Sequence, residues 1–374
     1  MLRTAIRFLL YDKAKSIGAM AGVLLSVFLV GQQSGIFIFL TNAMGSLAIN
    51  NPEYIWVIDN RTTNVNNLGQ LDGRVGRELA SIPGVRKVYP LVLAGGSAKF
   101  KNGKTSSVLM VGVQYPECAG GPWDLAEGSC ADLLQDGAII TDYYDRTTLG
   151  NAKIGEYFEI NGKQAFIAGN TKGVRSFGGT YVFTTIERAR YLGNFPDTKA
   201  SAFLVEWQPN ANEEQVIANI NASKINGIRA WNSEDLANST ILEVLASSGI
   251  AFSVGSLIIF VLISGFVIIG LTLYSSAIDR IRDYGTLKAI GAPNSYVRRL
   301  IFTQAFIVAV LGFAIGFALV QGFKRGIAQA GTIFEFPFWL QVGFLIVTLF
   351  IAFFGSLFAI RRVTSLEPSA VFRG

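Results

Sequence analysis

Few residue types in this sequence are suited to covalent or metal chemistry. The 374 residues include no histidine and only two cysteines, Cys118 and Cys130. Without an imidazole, neither a Ser-His-Asp triad nor an HExxH zinc site can form. Carboxylate, Lys, Ser or Cys catalysis remains, and the sequence does not support an enzyme of these kinds either. The acidic residues of the middle region lack metal-loop spacing; they are Asp142, Asp145, Glu156 and Glu159.

A nucleotide-binding loop is not recognisable. Gly103, Lys104 and Thr105 resemble the end of a P-loop. The motif needs a glycine five positions before its second glycine, where this chain has Ala98, and it must lie between a strand and a helix. We therefore expect this chain to bind no ATP, metal or other cofactor by itself.

The two cysteines favour a structural bridge. Cys118 and Cys130 are close in sequence and are flanked by glycines. If their region lies outside the cytoplasm, oxidation is permitted, and closing so short a loop contributes about 3 kcal/mol. Two free thiols or a catalytic cysteine remain alternatives, although a nucleophilic thiol would need an activating partner.

The composition indicates a membrane protein. Charged residues make up 16% of the chain, whereas soluble domains average about 25%. Four uncharged runs are long enough to cross the roughly 30 Å hydrocarbon core as helices. We predict transmembrane helices at 17–44, 249–276, 300–322 and 336–360. The first run is too long for the apolar part of a cleaved signal sequence, and we expect it to be retained.

The orientation follows from the basic residues. Lys and Arg strongly outnumber Asp and Glu in the N-terminal arm 1–16, the loop 277–299 and the tail 361–374. The positive-inside rule assigns these segments to the cytoplasm, so both termini face in and the short loop 323–335 faces out. The arm is also predicted to be an amphipathic helix in the membrane interface. These segments can contact membrane lipid and do not indicate nucleic-acid binding.

Residues 45–248 are predicted to form a mixed α+β domain. β-rich runs alternate with short helical ones, including a helix at 71–82 and another at 233–245 that leads directly into the second span. Asn-Gly pairs at 102–103 and 161–162 predict type I′ hairpin turns. The fold class is therefore an α-helical membrane protein with four transmembrane helices and a large mixed α+β extracytoplasmic domain between helices 1 and 2.

The predicted spans favour packing over ion conduction. They contain no Asp, Glu, Lys or His, which are the residues that usually mark an ion path through a membrane. Glycines four residues apart instead allow helices to approach closely. These are Gly18, Gly22, Gly31, Gly35, Gly312 and Gly316.

The loop 277–299 contains the most informative segment. Residues 280–291 combine charged flanks with aliphatic side chains at Ile281, Leu287 and Ile290. The following Gly291-Ala292-Pro293 is a helix stop. This pattern predicts a short amphipathic helix at the inner membrane surface.

This segment resembles the signature of the MacB/LolC/FtsX permease family, roughly Arg-x-x-Glu-Ile-Gly-x-Leu-Arg-Ala-Leu-Gly-Ala. Asp283 and Tyr284 stand where the family usually has Glu and Ile or Phe. The tail 366–373 is similar to the family's ending, and one span, a large domain and three further spans match its layout. The matching residues are Arg280, Gly285, Leu287, Lys288, Ala289, Gly291 and Ala292.

The resemblance implies the permease subunit of a type VII ABC transporter in the bacterial inner membrane. Such a permease forms a dimer, for which a homodimer is favoured and a heterodimer stays an alternative. It binds two copies of a separate ATPase that holds ATP and Mg²⁺. ATP-driven movement then passes through stiff helices to the periplasmic domain and extrudes substrate. A membrane-fusion adaptor and an outer-membrane exit duct are further partners that the resemblance allows.

The resemblance also implies local assignments. A porter-like part of the outer domain is interrupted by a smaller part near 115–199. The segment 280–291 docks on the ATPase, with Ile281, Leu287 and Ile290 as apolar anchors. The complete docking set is Arg280, Ile281, Arg282, Asp283, Gly285, Leu287, Lys288, Ala289, Ile290 and Gly291.

Two other functions stay open from the sequence. One is a transmembrane signalling regulator whose outer domain activates a cell-wall hydrolase and transports nothing. The other is a lipoprotein-release subunit, which would pair with a similar but distinct permease. Relatives of the first kind usually have a smaller outer domain without the two-part layout, which favours transport.

Overall fold

The computed structural model describes residues 2–11, 13–328, 334 and 336–364. It divides into two compact units. The membrane unit comprises residues 1–38, 250–329 and 334–374, and the sheet unit comprises residues 39–249 and 330–333. The family-like tail 366–373 and part of the predicted loop 323–335 lie outside the described residues.

Helices and strands are numbered in chain order. The helices are α1 (Leu2–Tyr11), α2 (Lys13–Ile49), α3 (Val75–Leu79), α4 (Ile186–Gly193), α5 (Glu213–Asn221), α6 (Ser233–Ser248), α7 (Ile250–Asp279), α8 (Ile281–Ala289), α9 (Asn294–Ala328) and α10 (Phe338–Thr364). The strands are β1 (Ile55–Asp59), β2 (Leu71–Asp72), β3 (Val85–Lys99), β4 (Thr105–Val113), β5 (Leu125–Glu127), β6 (Ala138–Asp142), β7 (Tyr157–Ile160), β8 (Lys163–Thr171), β9 (Thr180–Thr185), β10 (Lys199–Ala200), β11 (Ala202–Trp207) and β12 (Ile228–Trp231).

Helices α2, α7, α9 and α10 are long and apolar enough to cross a membrane. Each continues beyond the uncharged run that predicted it, because the terminal turns also accept polar and charged residues. Helix α9, for example, includes Arg298 and Arg299 near its start and Lys324 and Arg325 near its end. The predicted fold class, four membrane helices with a mixed domain between the first and second, is confirmed.

Glycines on α9 allow its backbone to touch α2. A Cβ atom added at Gly312 would lie 2.6 Å from the Cβ of Val23. One added at Gly316 would lie 2.9 Å from the carbonyl oxygen of Leu24 and 2.9 Å from the Cβ of Val27. Neither position therefore has room for a side chain unless the helices move apart.

The remaining glycines of the membrane unit differ in their surroundings. Gly18 has nothing within 4 Å of an added Cβ, so it makes no close helix contact within this chain. Gly270 on α7 and Gly355 on α10 approach each other closely, although neither has a glycine four residues away to signal it. Gly22, Gly31 and Gly35 are close-packed against Ile268, Val320 and Phe334 respectively.

The sheet unit contains two groups of strands that share β3. The first half of β3 pairs with β11, and β1 and β12 complete an antiparallel group in the order β12-β1-β11-β3. The second half of β3 pairs with β4, and the sheet continues through β9, β6, β8 and β5. The second group therefore begins within β3, and the smaller part predicted near 115–199 stays a prediction.

The last turns of α2 belong to the core of the sheet unit. Leu47 and Ala48 are fully buried in one cluster with Trp56 of β1 and Leu236 of α6. The opposite face of β1 packs against helices α3 and α5 in a separate cluster. The amide nitrogen of the Asn66 side chain donates to the Met44 carbonyl oxygen at 2.6 Å. The C-terminal end of α2 is thus held by both apolar burial and hydrogen bonding.

Helix α6 leads directly to α7, as the sequence predicts, but the two are separate helices. Helix α6 ends at Ser248 because Gly249 adopts a left-handed conformation, with φ 68° and ψ 3°. Helix α7 begins at the next residue. A glycine adopts this conformation without the steric penalty of a side chain, so Gly249 is a natural stop.

Two local predictions in the sheet unit are wrong. The helix predicted at 71–82 is limited to α3, because Leu71 and Asp72 instead pair as β2 with β10. The Asn102-Gly103 turn is not of type I′, since only Gly103 has positive φ and the loop between Lys99 and Thr105 is longer. At Asn161-Gly162 both φ values are positive, and Ile160 pairs directly with Lys163 as predicted.

Cys118 and Cys130 form a disulfide in the loop region between β4 and β6. Their Cα atoms are 6.7 Å apart. Both cysteines and Trp123 pack against the cluster that also receives the end of α2. The indole ring of Trp123 lies edge-on to Phe183, with the ring centroids 5.4 Å apart. The cross-link therefore borders the main core of the sheet unit.

Asp142 organises the turn after β6. Its side chain is almost fully buried, and it accepts hydrogen bonds from the backbone nitrogens of Tyr144 at 2.9 Å, Gly173 at 2.7 Å and Val174 at 2.8 Å. The Thr171 hydroxyl donates a fourth at 3.1 Å. A buried carboxylate with these partners serves structure, because every donor around it needs an acceptor.

We expect Asp142→Ala to lower the free energy of unfolding of the sheet unit by about 3 kcal/mol, since several buried donors lose their acceptor. Urea unfolding of the full chain, followed by tryptophan fluorescence, measures this. Asp136→Ala is the matched control. The Asp136 side chain is 93% exposed, and its ion pair with Arg188 lies at the surface, where such pairs contribute little to stability. Equal effects of the two variants would contradict the assignment.

We expect Gly316→Val to destabilise the membrane unit by about 2 kcal/mol, because the new side chain must push α2 away from α9. The loss of helical circular dichroism on heating the detergent-solubilised protein measures the change. Gly322→Val on the same helix is the control, since nothing lies within 4 Å of a Cβ there. A comparable loss at Gly322 would show that packing at Gly316 is not the cause.

Candidate functional site

The segment 280–291, called the coupling segment, forms helix α8 and its stop. Asp283 lies in the first turn and Lys288 in the last, where their charges complement the helix dipole. Gly291, with φ 98°, ends the helix. The nitrogen of Gly291 donates to the Lys288 carbonyl at 3.0 Å, and that of Ala292 to the Leu287 carbonyl at 3.0 Å. These two bonds are the Schellman motif, which the Gly-Ala-Pro sequence predicts.

The coupling segment has an exposed face and a packed face. Ile290 is 80% exposed, and Arg282, Asp283, Ala289 and Gly291 are exposed with it. On the packed face, Tyr284 and Gly285 are buried and Ile281 is half-buried. Leu287 packs against the core of the membrane unit, so its side chain is only partly available to a partner. Lys288 donates through its ammonium group to the Thr364 carbonyl oxygen at 3.2 Å.

Arg280 does not lie on the exposed face, contrary to its place in the predicted docking set. It is only 7% exposed, and its guanidinium group lies against two aromatic rings of α1, those of Phe8 and Tyr11. Sequence reasoning missed these two residues. Their spacing of three places both rings on neighbouring parts of one helix surface, but nothing in the sequence identifies the cation that they contact.

Tyr284 packs the coupling segment against helix α1. Its ring is 1% exposed and lies 5.6 Å from the ring of Phe8, centroid to centroid. Burial raises the pKa of the phenol to about 12. Tyr284 stands where the family signature has Ile or Phe, and its buried ring occupies an apolar position.

Three sets of contacts place the chain's basic segments at one end of the membrane unit. Lys15, near the start of α2, pairs with Asp279 at the end of α7. Arg280 contacts α1, and Lys288 contacts the end of α10. The exposed basic residues around this end are Arg3, Arg7, Lys13, Arg282, Arg298, Arg299, Arg361 and Arg362.

The described residues show no group of His, Cys, Asp and Glu able to hold a metal ion. Asp145, one of the acidic residues considered from the sequence, pairs with Arg175 in the sheet unit. Burial raises the pKa of Asp145 to about 6, although the adjacent guanidinium opposes that rise. Glu156 accepts from the backbone nitrogen of Lys153 at 3.2 Å. These carboxylates have structural partners within the sheet unit.

The chain matches two family descriptions. The MacB-like periplasmic core domain matches residues 16–223, more than half of the chain. The FtsX-like permease C-terminal domain matches residues 255–368, which include the coupling segment. The chain belongs to the MacB/FtsX family of ABC transporter permeases. The family resemblance of the sequence is thereby confirmed.

Several proteins of this kind are similar to the chain. Uncharacterized ABC transporter permeases of Mycobacterium tuberculosis and Mycobacterium bovis are 28% identical over 107 residues. The matched stretch is 29% of this chain and spans less than a third of each relative, 30% of its length.

Solved structures of outer domains are also similar. The extracellular domain of the noncanonic ABC-type transporter YknZ from Gram-positive bacteria is 14% identical, with a TM-score of 0.35, and covers 48% of this chain and 100% of that domain. The periplasmic region of MacB from Actinobacillus actinomycetemcomitans is 12% identical, with a TM-score of 0.36, and covers 53% of this chain and 94% of that region.

Proposed function

We propose that this chain is the permease subunit of an ABC transporter and that an ATPase on a separate chain docks on the exposed face of the coupling segment. The observation that supports this most directly is Ile290, an aliphatic side chain 80% exposed at a rigid helix stop. Protein interfaces are anchored by such apolar side chains surrounded by polar contacts. Arg282 and Asp283 supply polar groups on the same short helix.

The orientation we propose is that both termini and the coupling segment face the cytoplasm. The basic residues at one end of the membrane unit support it, because short loops rich in Lys and Arg are retained inside. The sheet unit, inserted between α2 and α7, is then periplasmic and the helices lie in the bacterial inner membrane. A periplasmic position is compatible with the disulfide between Cys118 and Cys130.

ATP and Mg²⁺ bind to the ATPase in this proposal, and this chain itself binds no cofactor. Two permeases, a homodimer, would carry two ATPases. Movement driven by ATP passes along α2, which is a single helix whose far end is buried in the core of the sheet unit. The sheet unit then drives substrate outward, alone or with a membrane-fusion adaptor and an outer-membrane duct.

We expect Ile290→Asp to weaken ATPase binding about 30-fold, since truncation or charging of a central apolar anchor costs about 2 kcal/mol or more. The dissociation constant between the full-length permease in lipid nanodiscs and the purified ATPase measures this. Ile290 is a better site for the test than Leu287, whose side chain also packs within this chain.

Leu242→Asp is the control for Ile290→Asp. It introduces the same kind of change at a side chain 68% exposed on α6, in the sheet unit. Binding of the ATPase should be unaffected there. Wild-type affinity of the Ile290→Asp protein would contradict docking through this face.

We expect a disulfide between two copies of an Ala246→Cys variant to stop the transport cycle without releasing the ATPase. Ala246 is exposed near the end of α6. If the outer ends of the helices must move during each cycle, a cross-link there lowers ATP turnover of the complex several-fold. Reduction should restore turnover, and wild-type protein treated with the same reductant controls for loss of the native disulfide. Undiminished turnover in the cross-linked complex would contradict mechanical transmission.

A further inference from the structure

Arg280 lies against two aromatic rings of α1, those of Phe8 and Tyr11. Its guanidinium carbon lies 4.7 Å from the ring centroid of Phe8 and 4.7 Å from that of Tyr11. Both distances are within the range of a cation–π interaction, which strengthens when water is excluded. Since Arg280 immediately precedes α8, this contact joins α1 directly to the coupling segment.

The surroundings of Arg280 make the rings its main electrostatic partners. Among the described residues, no carboxylate forms an ion pair with it, and its buried Nη2 atom has no hydrogen-bond partner. A buried charge without a carboxylate or polar partners is unfavourable. The planar guanidinium group, however, stacks on aromatic faces in a way that a lysine ammonium does not. The arrangement therefore depends on both the arginine and the rings.

A contact between Phe8 and Tyr284 also joins α1 to the coupling segment. The ring of Phe8 also lies 5.6 Å from that of Tyr284, which is buried within α8. Ala5, one turn before Phe8, is fully buried against the core of the membrane unit. By contrast, Leu2 and Leu10 on α1 are 61% and 59% exposed. Helix α1 is thus attached along one side, and Phe8 and Tyr11 form its link to the coupling segment.

We propose that Arg280 is a positioning residue that fixes α1 to the coupling segment, so that α1 and α8 form one docking platform for the ATPase. The proposal rests on the proposed function, because it assumes that the ATPase binds α8. The platform adds the exposed Arg3 and Arg7 of α1 to Arg282 of α8. It therefore fits a partner surface that carries acidic side chains.

The test uses the full chain in nanodiscs with a nitroxide label at Leu10→Cys, a position 59% exposed on α1. The native cysteines are joined in a disulfide and do not take the label. In Arg280→Met, which keeps an apolar stem without the cation, we expect greater mobility of the label. The dissociation constant for the ATPase should rise about tenfold, while ATP turnover at saturating ATPase stays unchanged.

Two further variants complete the design. Arg298→Met removes an exposed arginine from the start of α9 and should alter neither the label nor the affinity. Arg280→Lys keeps the charge without the planar stacking surface, so its affinity should lie between those of the wild type and Arg280→Met. Arg280→Lys is also the milder substitution and can replace Arg280→Met if that variant does not fold.

Each outcome decides one part of the proposal. Unchanged label mobility in both Arg280 variants would overturn the positioning role. Greater mobility with wild-type ATPase affinity would overturn the shared platform and leave docking on α8 intact. Wild-type affinity of Ile290→Asp would instead overturn docking itself. A fall in maximal turnover with unchanged affinity would also count against the platform, because positioning of a docking surface changes binding first.

Discussion

The structure depends on one continuous helix. Helix α2 runs from Lys13 to Ile49, and its two ends are held by different interactions. At one end Lys15 pairs with Asp279, and glycines of α9 contact the helix backbone. At the other end Leu47 and Ala48 are buried among the strands of the sheet unit. A hydrogen-bonded helix without Pro or a helix stop has none of the usual causes of a sharp kink.

The other connection between the units is different in kind. Helices α6 and α7 are separated by Gly249, whose left-handed conformation interrupts the hydrogen-bond ladder. Hinges are commonly formed by a few residues at the ends of such elements. The two units are therefore joined by one helix that continues without a stop and by a second path that is interrupted at Gly249.

Much of the domain organisation could be predicted from the sequence, because it follows from composition and from the backbone preferences of neighbouring residues. Long uncharged runs must be helices in a membrane, since no water is present to satisfy their backbone groups. The Gly291-Ala292-Pro293 stop and the Asn161-Gly162 turn were also predictable, because positive φ is a local property of glycine and asparagine. The family signature identified the coupling segment for the same reason: its residues are contiguous.

What the sequence did not reveal depends on residues that meet only after folding. From the sequence, Arg280 is one more basic residue of a predicted cytoplasmic loop, yet it is buried and contacts Phe8 and Tyr11, which are far away in sequence. Leu71 and Asp72 resemble the start of a helix but pair with β10. The sequence by itself determined the spans, the layout and the helix stops through local hydrophobicity and backbone preference. Only the tertiary structure decided which face of the coupling segment is exposed, because exposure depends on which distant side chains cover the other face.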